Sequence, residues 1–312
     1  MAIQLQQYDF TCTWQSEVYL PDYLGSALRG AFGWALKNSS CALKNQQCST
    51  CILRKNCAYA WVFETERYAD DAGRKVNARP HPFVLQPGKN TNGLRRVGEP
   101  WSFSLLLIGR GIDFLPHVVY SVQQMGEMGV GAGGRHGRGR FSLEKIMAGD
   151  APVYDSHHGG MLDRPPDPVS LQLGEQPQQP VKEIRITLQT PLRLKQDNTL
   201  QRDLPFHVLI RAALRRISSL EKAYGQGDPT LDYSGLVQMA EEIGTTESTI
   251  HWKELLRFSN RQEKKVSLGG MAGFVEYRGD LNEFVPLLEY VGRVNLGKQT
   301  VFGLGKMTMA WQ

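Results

Sequence analysis

The sequence contains no apolar run close to the roughly 20 residues that a membrane-spanning helix needs. Its first residues, MAIQLQQYDF, lack the layout of a secretory signal peptide. No Gly-Lys-Ser/Thr occurs at the spacing of a Walker motif, which argues against a nucleoside triphosphatase. The composition is otherwise ordinary: 312 residues, 41% hydrophobic and 21% charged, with a net charge of +5. We therefore expect a cytoplasmic protein of about two domains, whose mild basicity permits a nucleic-acid partner without requiring one.

Cysteine is scarce, and its placement is uneven. Four of the five cysteines share the pattern C-x6-C-x2-C-x5-C, formed by Cys41, Cys48, Cys51 and Cys57. Four thiolates at this density suit one tetrahedral zinc ion, and an iron–sulfur cluster is the less favoured alternative. Buried free cysteines or an accidental grouping would also give this pattern. We predict a zinc-binding insertion at about residues 38–60 whose role is structural, because four thiolates leave no open position on the metal.

The two halves of the chain resemble each other. Each begins with an extended Leu-Pro followed by an amphipathic helix containing Ala-Leu-Arg, and each ends with a strand, a helix, a glycine-rich loop and a closing strand. This order is typical of a ferredoxin-like βαββαβ unit, so we predict an α+β protein with two such (RRM-like) domains in tandem. Residues 151–180, rich in Pro, Gly, Gln and Asp, are predicted to be a linker or surface excursion between domains at 1–150 and 181–312.

Each half contains a glycine-rich loop with cations, GVGAGGRHGRGRFSL (129–143) and GKQTVFGLGKMTM (297–309). Glycine lets the backbone approach a ligand closely, so its N–H groups can point at phosphate oxygens. Alternatively, each stretch is a mobile surface loop with solvated charges. The presence of two matched loops at corresponding places argues against this alternative. The cations expected to contact a phosphodiester backbone are Arg135, Arg138, Arg140, Lys298 and Lys306.

Histidines are the first candidates for acid–base chemistry. His136 lies inside the first glycine-rich loop, and His207 opens the predicted helix PFHVLIRAALRRISSL. That helix should bury Leu209, Ala213, Ile217 and Leu220. Arg211 and Arg215 share another face, where a bound polyanion would relieve the repulsion between their like charges. His117 and His251 also lie in helical patterns and are expected to be surface or cap residues.

Four stretches together resemble a known family: GSALRGAFGWALK with the cysteines and CAYAWVFET; HPFVLQPG; PLRLKQDNTLQRDLPFHVLIRAALRRISSLEKAYG; and VGRVNLGKQTVFGLGKM. They are similar to the CRISPR-associated precursor-crRNA processing endoribonucleases of the RAMP superfamily. The resemblance implies a double ferredoxin-like fold and recognition of CRISPR repeat RNA. It also implies metal-independent cleavage, in which a ribose 2′-hydroxyl attacks the adjacent phosphate and no catalytic metal is needed.

Members of that family often keep a histidine, with Tyr or Lys, on or near the first helix. Here LPDYLGSALRGAFGWALK supplies Tyr23, Arg29 and Lys37 but no histidine. We therefore predict that a histidine from elsewhere completes the site, favouring His207 with Tyr23 and keeping His136 and Lys37 as further catalytic candidates. Arg29, Arg211 and Arg215 join the loop cations as predicted RNA contacts.

Two other functions fit the sequence. A non-catalytic RAMP-type subunit would bind guide RNA within a CRISPR effector complex, and the missing first-helix histidine favours it. An unrelated metalloprotein would use the cysteine cluster as its active centre, so its activity would follow metal content. In the favoured interpretation the partners are repeat RNA or crRNA, together with other effector subunits.

Overall fold

A computed structural model describes residues 2–44, 47–65, 79–89, 92–131, 137–162, 165–196, 198–259 and 264–311. The chain divides into two compact units, with residues 3–170 in the first and 171–312 in the second. No helix in these ranges is long and apolar enough to cross a membrane.

The first unit is a mixed α/β structure built on an antiparallel sheet. Its elements are β1 (Ile3–Trp14), β2 (Val18–Leu20), α1 (Gly25–Ser40), α2 (Ala58–Phe63), β3 (Phe83–Pro87), β4 (Gly93–Arg95), β5 (Pro100–Ile108), α3 (Leu115–Met128), β6 (Phe141–Ala148), β7 (Ala151–Asp155), β8 (Gly160–Met161) and β9 (Val169–Leu171). The sheet order is β3-β5-β1-β6-β7-β8, with β9 paired to β1, while β2 and β4 form a separate ribbon.

Aromatic residues fill the core of this unit because β1 alternates buried and exposed side chains, as a sheet with one covered face requires. Phe10 stacks on Phe103 of β5 with ring centroids 4.6 Å apart, and Trp14 stacks on Trp101 at 4.7 Å. Cys12 lies between them, fully buried, and burial raises its pKa. Cys12 is therefore a small side chain in the buried face of β1.

The second unit repeats the pattern with further small ribbons. Its elements are β10 (Glu183–Leu192), β11 (Lys195–Gln196), β12 (Thr199–Leu200), α4 (Phe206–Tyr224), α5 (Tyr233–Glu241), β13 (Gly244–Ser248), β14 (His251–Lys253), β15 (Leu256–Ser259), β16 (Lys264–Ser267), β17 (Gly270–Arg278), α6 (Val285–Val294) and β18 (Met307–Trp311). The main sheet order is β13-β17-β10-β18, with β14 also paired to β17.

The same spatial order recurs in the two main sheets. The four principal strands are, in chain order, β1, β3, β5 and β6 in the first unit and β10, β13, β17 and β18 in the second. In both sheets the second of these strands lies at one end, followed by the third, the first and the fourth. The pairs of β1 with β5 and β6 and of β10 with β17 and β18 are all antiparallel. In both units a helix follows the first of these strands and another follows the third.

Helix α4 buries the stripe that the sequence predicts. Leu209, Ala213, Ile217 and Leu220 are each 0% exposed. The stripe follows the 3.6-residue period of a helix packed on a sheet, and at its start Phe206 meets Phe284 edge to face at 5.0 Å. The predicted helical position of His251 is wrong: this residue lies on β14, which pairs with β17.

The structure also differs from the predicted linker at residues 151–180. Residues 151–155 form β7, which pairs with β6, and β8 pairs with β7. Val153 is fully buried and Tyr154 is nearly so, so these side chains join the core despite the polar surroundings of the segment. The sheet of the first unit therefore continues past residue 150.

Candidate functional site

The base of the first glycine-rich loop is fixed by backbone hydrogen bonds. Val130 and Gly139 exchange N–H to O bonds of 2.9 Å in each direction. A Cβ at Gly139 would lie 2.6 Å from Val18 Cγ1, so only glycine fits this close approach. Residues 132–136, which include the predicted RNA contact Arg135 and the catalytic candidate His136, lie outside the described residues.

Two cations of that loop are exposed where it returns to the sheet. Arg138 follows Gly137, whose φ is +71°, and both residues are exposed. Arg140 is exposed as well, while its backbone N–H donates to Ser16 Oγ at 2.9 Å and its carbonyl accepts from Gln15 N at 2.8 Å. Both guanidinium groups are therefore carried on an anchored backbone, as a phosphate contact needs.

The second glycine-rich loop is packed against its own unit. Gly305 N donates to Pro191 O at 3.0 Å, Leu296 N donates to Gly305 O at 2.9 Å, and Lys298 N donates to Arg193 O at 2.9 Å. These N–H groups are bonded to protein carbonyls and do not point at a ligand. For them the predicted phosphate-binding role of the backbone is wrong, because the turn at the end of β10 supplies acceptors.

The side chains of the second unit's predicted RNA contacts remain on its surface to different degrees. Lys298 and Arg215 are exposed, whereas Lys306 and Arg211 are half-buried. Arg215 Nε lies 3.4 Å from the Arg211 carbonyl, as spacing of four residues along α4 allows. His207 is half-buried in the first turn of α4.

A cluster of cations and aromatic rings lies between α1 and α2 of the first unit. Lys37, exposed in the last turn of α1, places its Nζ 5.5 Å from the centroid of the Tyr59 ring. Tyr59 stacks on Phe63 at 5.4 Å, and Arg29 Cζ lies 4.9 Å from the Phe63 ring. Gly33 permits this packing, because a Cβ there would lie 3.0 Å from Phe63 Cε1.

His81 borders this cluster from the loop before β3. Its ring centroid lies 6.3 Å from that of Phe63, and its Nδ1 lies 3.0 Å from the Val62 carbonyl oxygen, a geometry in which Nδ1 carries the proton and donates. Sequence reasoning did not select Tyr59 or His81 as site residues. Both lie in stretches that carry the family resemblance, CAYAWVFET and HPFVLQPG, which was the available signal.

Tyr59 keeps its phenolic proton at neutral pH. Burial and, next in size, the negative charge of Glu64 raise its pKa to about 12. Burial raises the pKa of Tyr23 as well. Each phenol can therefore donate a hydrogen bond, and neither is suited to removing a proton at pH 7.

The cysteine segment is well defined locally but has little core. Between Cys41 and Cys57 every described residue is exposed or half-buried, and Ile52 is 84% exposed. All five cysteines of the chain are free thiols, and the four clustered ones are half-buried. No three His, Cys, Asp or Glu side chains of the described residues, these four cysteines included, are grouped to hold a metal ion. The zinc site therefore stays a prediction.

Two family models cover most of the chain. Residues 186–307 match the model described as CRISPR-associated endoribonuclease Cas6, and residues 3–166 match AF_1859_N, described as an N-terminal domain. The second unit therefore carries a Cas6 endoribonuclease domain. This match supports an RNA-cleaving enzyme that binds and processes CRISPR repeat RNA, as the resemblance predicts.

Similar proteins match this chain along nearly its whole length. An uncharacterized protein of Archaeoglobus fulgidus is 26% identical over 293 residues, which is 93% of this chain and 92% of that protein. Thermus thermophilus Cas6 (TTHB231) has a TM-score of 0.56 at 12% identity, with 99% of this chain and 100% of that one covered. A partial Cas6-RT-Cas1--Cas2 complex gives 0.58 at 13% identity, covering 100% of this chain and 46% of that one. The solved structures show a shared fold.

Proposed function

We propose that this protein is a member of the Cas6 family that binds CRISPR repeat RNA, cleaves precursor crRNA without a catalytic metal, and retains its product within a CRISPR effector complex. We also propose that its units are tandem ferredoxin-like domains, which their common strand order supports. The enzymatic proposal depends on Lys37, which is exposed on α1 with its Nζ over the ring of Tyr59 from α2. Helix α1 is the element on which the resemblance implies catalytic side chains.

The proposed reaction needs no group that the chain lacks. The ribose 2′-hydroxyl gives its proton to the proposed acid–base residue, His207, its oxygen attacks the adjacent phosphorus, and the bond from phosphorus to the 5′-oxygen breaks as that oxygen takes the proton back. The products are a 2′,3′-cyclic phosphate and a 5′-hydroxyl that gains a proton. Lys37 stabilises negative charge developing on the phosphate oxygens, and Tyr59, still protonated, donates a hydrogen bond to the same group. Arg29 adds positive charge behind Phe63.

The end groups of the products test this function. With a repeat RNA and brief incubation in excess EDTA, we expect one cut that leaves a 2′,3′-cyclic phosphate, and no comparable cut in a scrambled RNA of the same length. Specific binding with no cyclic phosphate would instead establish the non-catalytic guide-RNA subunit, which the absence of histidine from α1 favours.

His207 is our proposed acid–base residue from the second unit. His207→Ala should lower the single-turnover cleavage rate by about 100-fold, the usual contribution of general acid–base catalysis, with affinity for the repeat nearly unchanged. His117→Ala, at an exposed position of α3, is the matched control. Equal losses of rate and affinity would make His207 a binding or structural residue.

Arg138 is proposed to contact a phosphate. Arg138→Ala should weaken repeat binding and reduce the slope of log affinity against log salt by about 0.7–0.9, the value for one lost contact. Arg278→Ala, which removes an exposed arginine already bonded to Glu183, should leave the slope unchanged. An unchanged slope in Arg138→Ala would reject the contact.

We propose further that Cys41, Cys48, Cys51 and Cys57 hold a structural zinc ion. A segment whose described residues include no fully buried one needs another stabiliser, and its half-buried thiols include Cys57, whose Sγ lies 4.0 Å from the Ser40 carbonyl. Thiolate ligands commonly converge only when the metal binds. The purified protein should contain one zinc per chain by elemental mass spectrometry, and Cys48→Ser should lose it while Cys12→Ser keeps it. Equal zinc contents in the two variants would reject the site.

A further inference from the structure

Two arginines of the second unit converge on one tryptophan beside the second glycine-rich loop. Arg202 Cζ lies 5.5 Å and Arg193 Cζ 5.9 Å from the centroid of the Trp252 ring. Trp252 is half-buried on β14, and Arg202 is exposed. Among the described residues Arg202 has no ion pair, so the ring is its principal contact. Because surface arginine–aromatic pairs add little to the free energy of unfolding, stability alone does not explain the pair, and a role in binding is consistent with it.

Hydrogen bonds fix this arrangement in place. Trp252 Nε1 donates to Glu254 Oε2 at 2.9 Å, and Ser267 Oγ donates to the other oxygen of that carboxylate at 2.5 Å. These two bonds, with the charges of Arg193 and Arg202, keep the pKa of Glu254 below its ordinary value. The charge of one carboxylate is therefore set against those of two guanidinium groups near the ring, and the excess charge is positive.

Arg193 also connects the ring to the second glycine-rich loop. Its Nη1 donates to Gly269 O at 2.6 Å, and its carbonyl accepts the Lys298 N–H. Gly297 makes this approach feasible, because a Cβ there would lie 2.6 Å from the Arg193 carbonyl oxygen. The backbone of the exposed Lys298 is thereby hydrogen-bonded to that of Arg193, one of the two arginines at the Trp252 ring.

A second arginine–aromatic pair involves the loop itself. Arg257 Cζ lies 5.1 Å from the centroid of the Phe302 ring. Its Nε is buried without a hydrogen-bond partner among the described residues, and burial lowers the pKa of its guanidinium. A buried cation donor without an acceptor favours an anionic ligand at this loop.

We infer that Arg193, Trp252 and Arg202 form a binding site for one unpaired nucleotide of the RNA. The base stacks on the Arg202–Trp252 pair, and the guanidinium groups contact its phosphate. Aromatic rings and guanidinium planes are the surfaces on which unstacked RNA bases pack, whereas bases inside a duplex are stacked on one another. This inference rests on the proposed function, which supplies RNA as the ligand.

Abasic substitution tests the site against the proposed function separately. The repeat RNA is made with a single abasic nucleotide at each position in turn, and binding is measured for wild type, Trp252→Ala, Arg202→Ala and Trp311→Ala. Trp311, 42% exposed on β18, is the matched control. Circular dichroism confirms folding, and Arg202→Ala, an exposed change, keeps the test valid if Trp252→Ala does not fold.

We expect Trp252→Ala and Arg202→Ala to weaken binding of intact RNA about tenfold relative to Trp311→Ala. One abasic position should weaken wild-type binding to a similar extent and add nothing in Trp252→Ala. The site would be overturned, and the proposed function left intact, by either of two results. In the first, Trp252→Ala and Arg202→Ala bind the RNA as tightly as Trp311→Ala does. In the second, the loss of affinity caused by an abasic nucleotide adds fully to that of Trp252→Ala at every position. Wild-type protein that does not prefer the repeat over scrambled RNA would overturn both.

Discussion

Lys37→Ala should lower the single-turnover rate of repeat cleavage by about 100- to 1,000-fold, the effect of removing one donor that stabilises a developing negative charge. The reason is that Lys37 is exposed at the end of α1, and Tyr59 beneath it holds its Nζ in one region of the surface. Charge on the phosphate grows as the 2′-oxygen attacks, so the ammonium stabilises the transition state more than bound RNA. Repeat affinity should therefore change less than about threefold, close to one ordinary phosphate contact.

Variants of Tyr59 separate the two roles within this cluster. Tyr59→Phe keeps the ring under Lys37 and removes only the phenolic donor, so its rate should lie between wild type and Lys37→Ala. Lys145→Ala, an exposed lysine of β6 with Asp155 opposite it in β7, is the control for loss of charge in the same unit. If Lys37→Ala reduced affinity and rate by the same factor, Lys37 would be an RNA contact only.

Gly305→Ala should destabilise the second unit by about 3 kcal/mol or more, the range of severe backbone strain combined with overpacking. Gly305 has φ of +74°, and a Cβ there would lie 1.8 Å from the Leu296 carbonyl oxygen. That carbonyl belongs to the residue whose N–H donates to Gly305 O, so relief of the clash would break the loop's own hydrogen bond. Thermal unfolding should show a midpoint lower by roughly 6–12 °C.

Gly292→Ala is the matched control for this loop variant. Gly292 lies in α6, and its Cβ would meet only the Met307 carbonyl oxygen at 3.9 Å, an ordinary contact. Alanine should therefore stabilise the helix, by up to about 1 kcal/mol. A Gly305→Ala protein as stable as wild type would show that the loop is not the packed turn described above.

The sequence predicted the repeated architecture because hydrophobic period is a local property. The buried stripe of α4 and the apolar face of α3, with Val118, Val122 and Met125, follow directly from helical spacing. Periodicity was a weaker guide where a short segment's partner is distant: the sequence around His251 has a helical pattern, but His251 lies on β14 and pairs with Ala272 of β17. Likewise β7 ends in Asp155 and is followed by polar residues, and it is a strand because β6 lies beside it.

The candidate site was predicted in part. Lys37 and Arg29 were selected because they lie on the first helix, whereas Tyr59 and His81 follow them by more than 20 residues in the sequence. Tyr59 meets Lys37 directly, and both Tyr59 and His81 pack on Phe63. The second glycine-rich loop shows the opposite limit. Its composition suggested free N–H donors, but acceptors at Pro191 and Arg193, over 100 residues earlier, occupy several of them.

The central claim is that a ribose 2′-hydroxyl of the repeat is the nucleophile, and one modified RNA tests it most directly. A repeat RNA with a single 2′-deoxyribose immediately 5′ of the cut phosphate is compared with unmodified RNA in excess EDTA. We predict equal affinity for the two RNAs, cleavage of the unmodified strand, and none of the modified one at that bond. Cleavage of the deoxyribose strand at the same bond, or cleavage of the unmodified strand only when Mg²⁺ is added, would contradict the account.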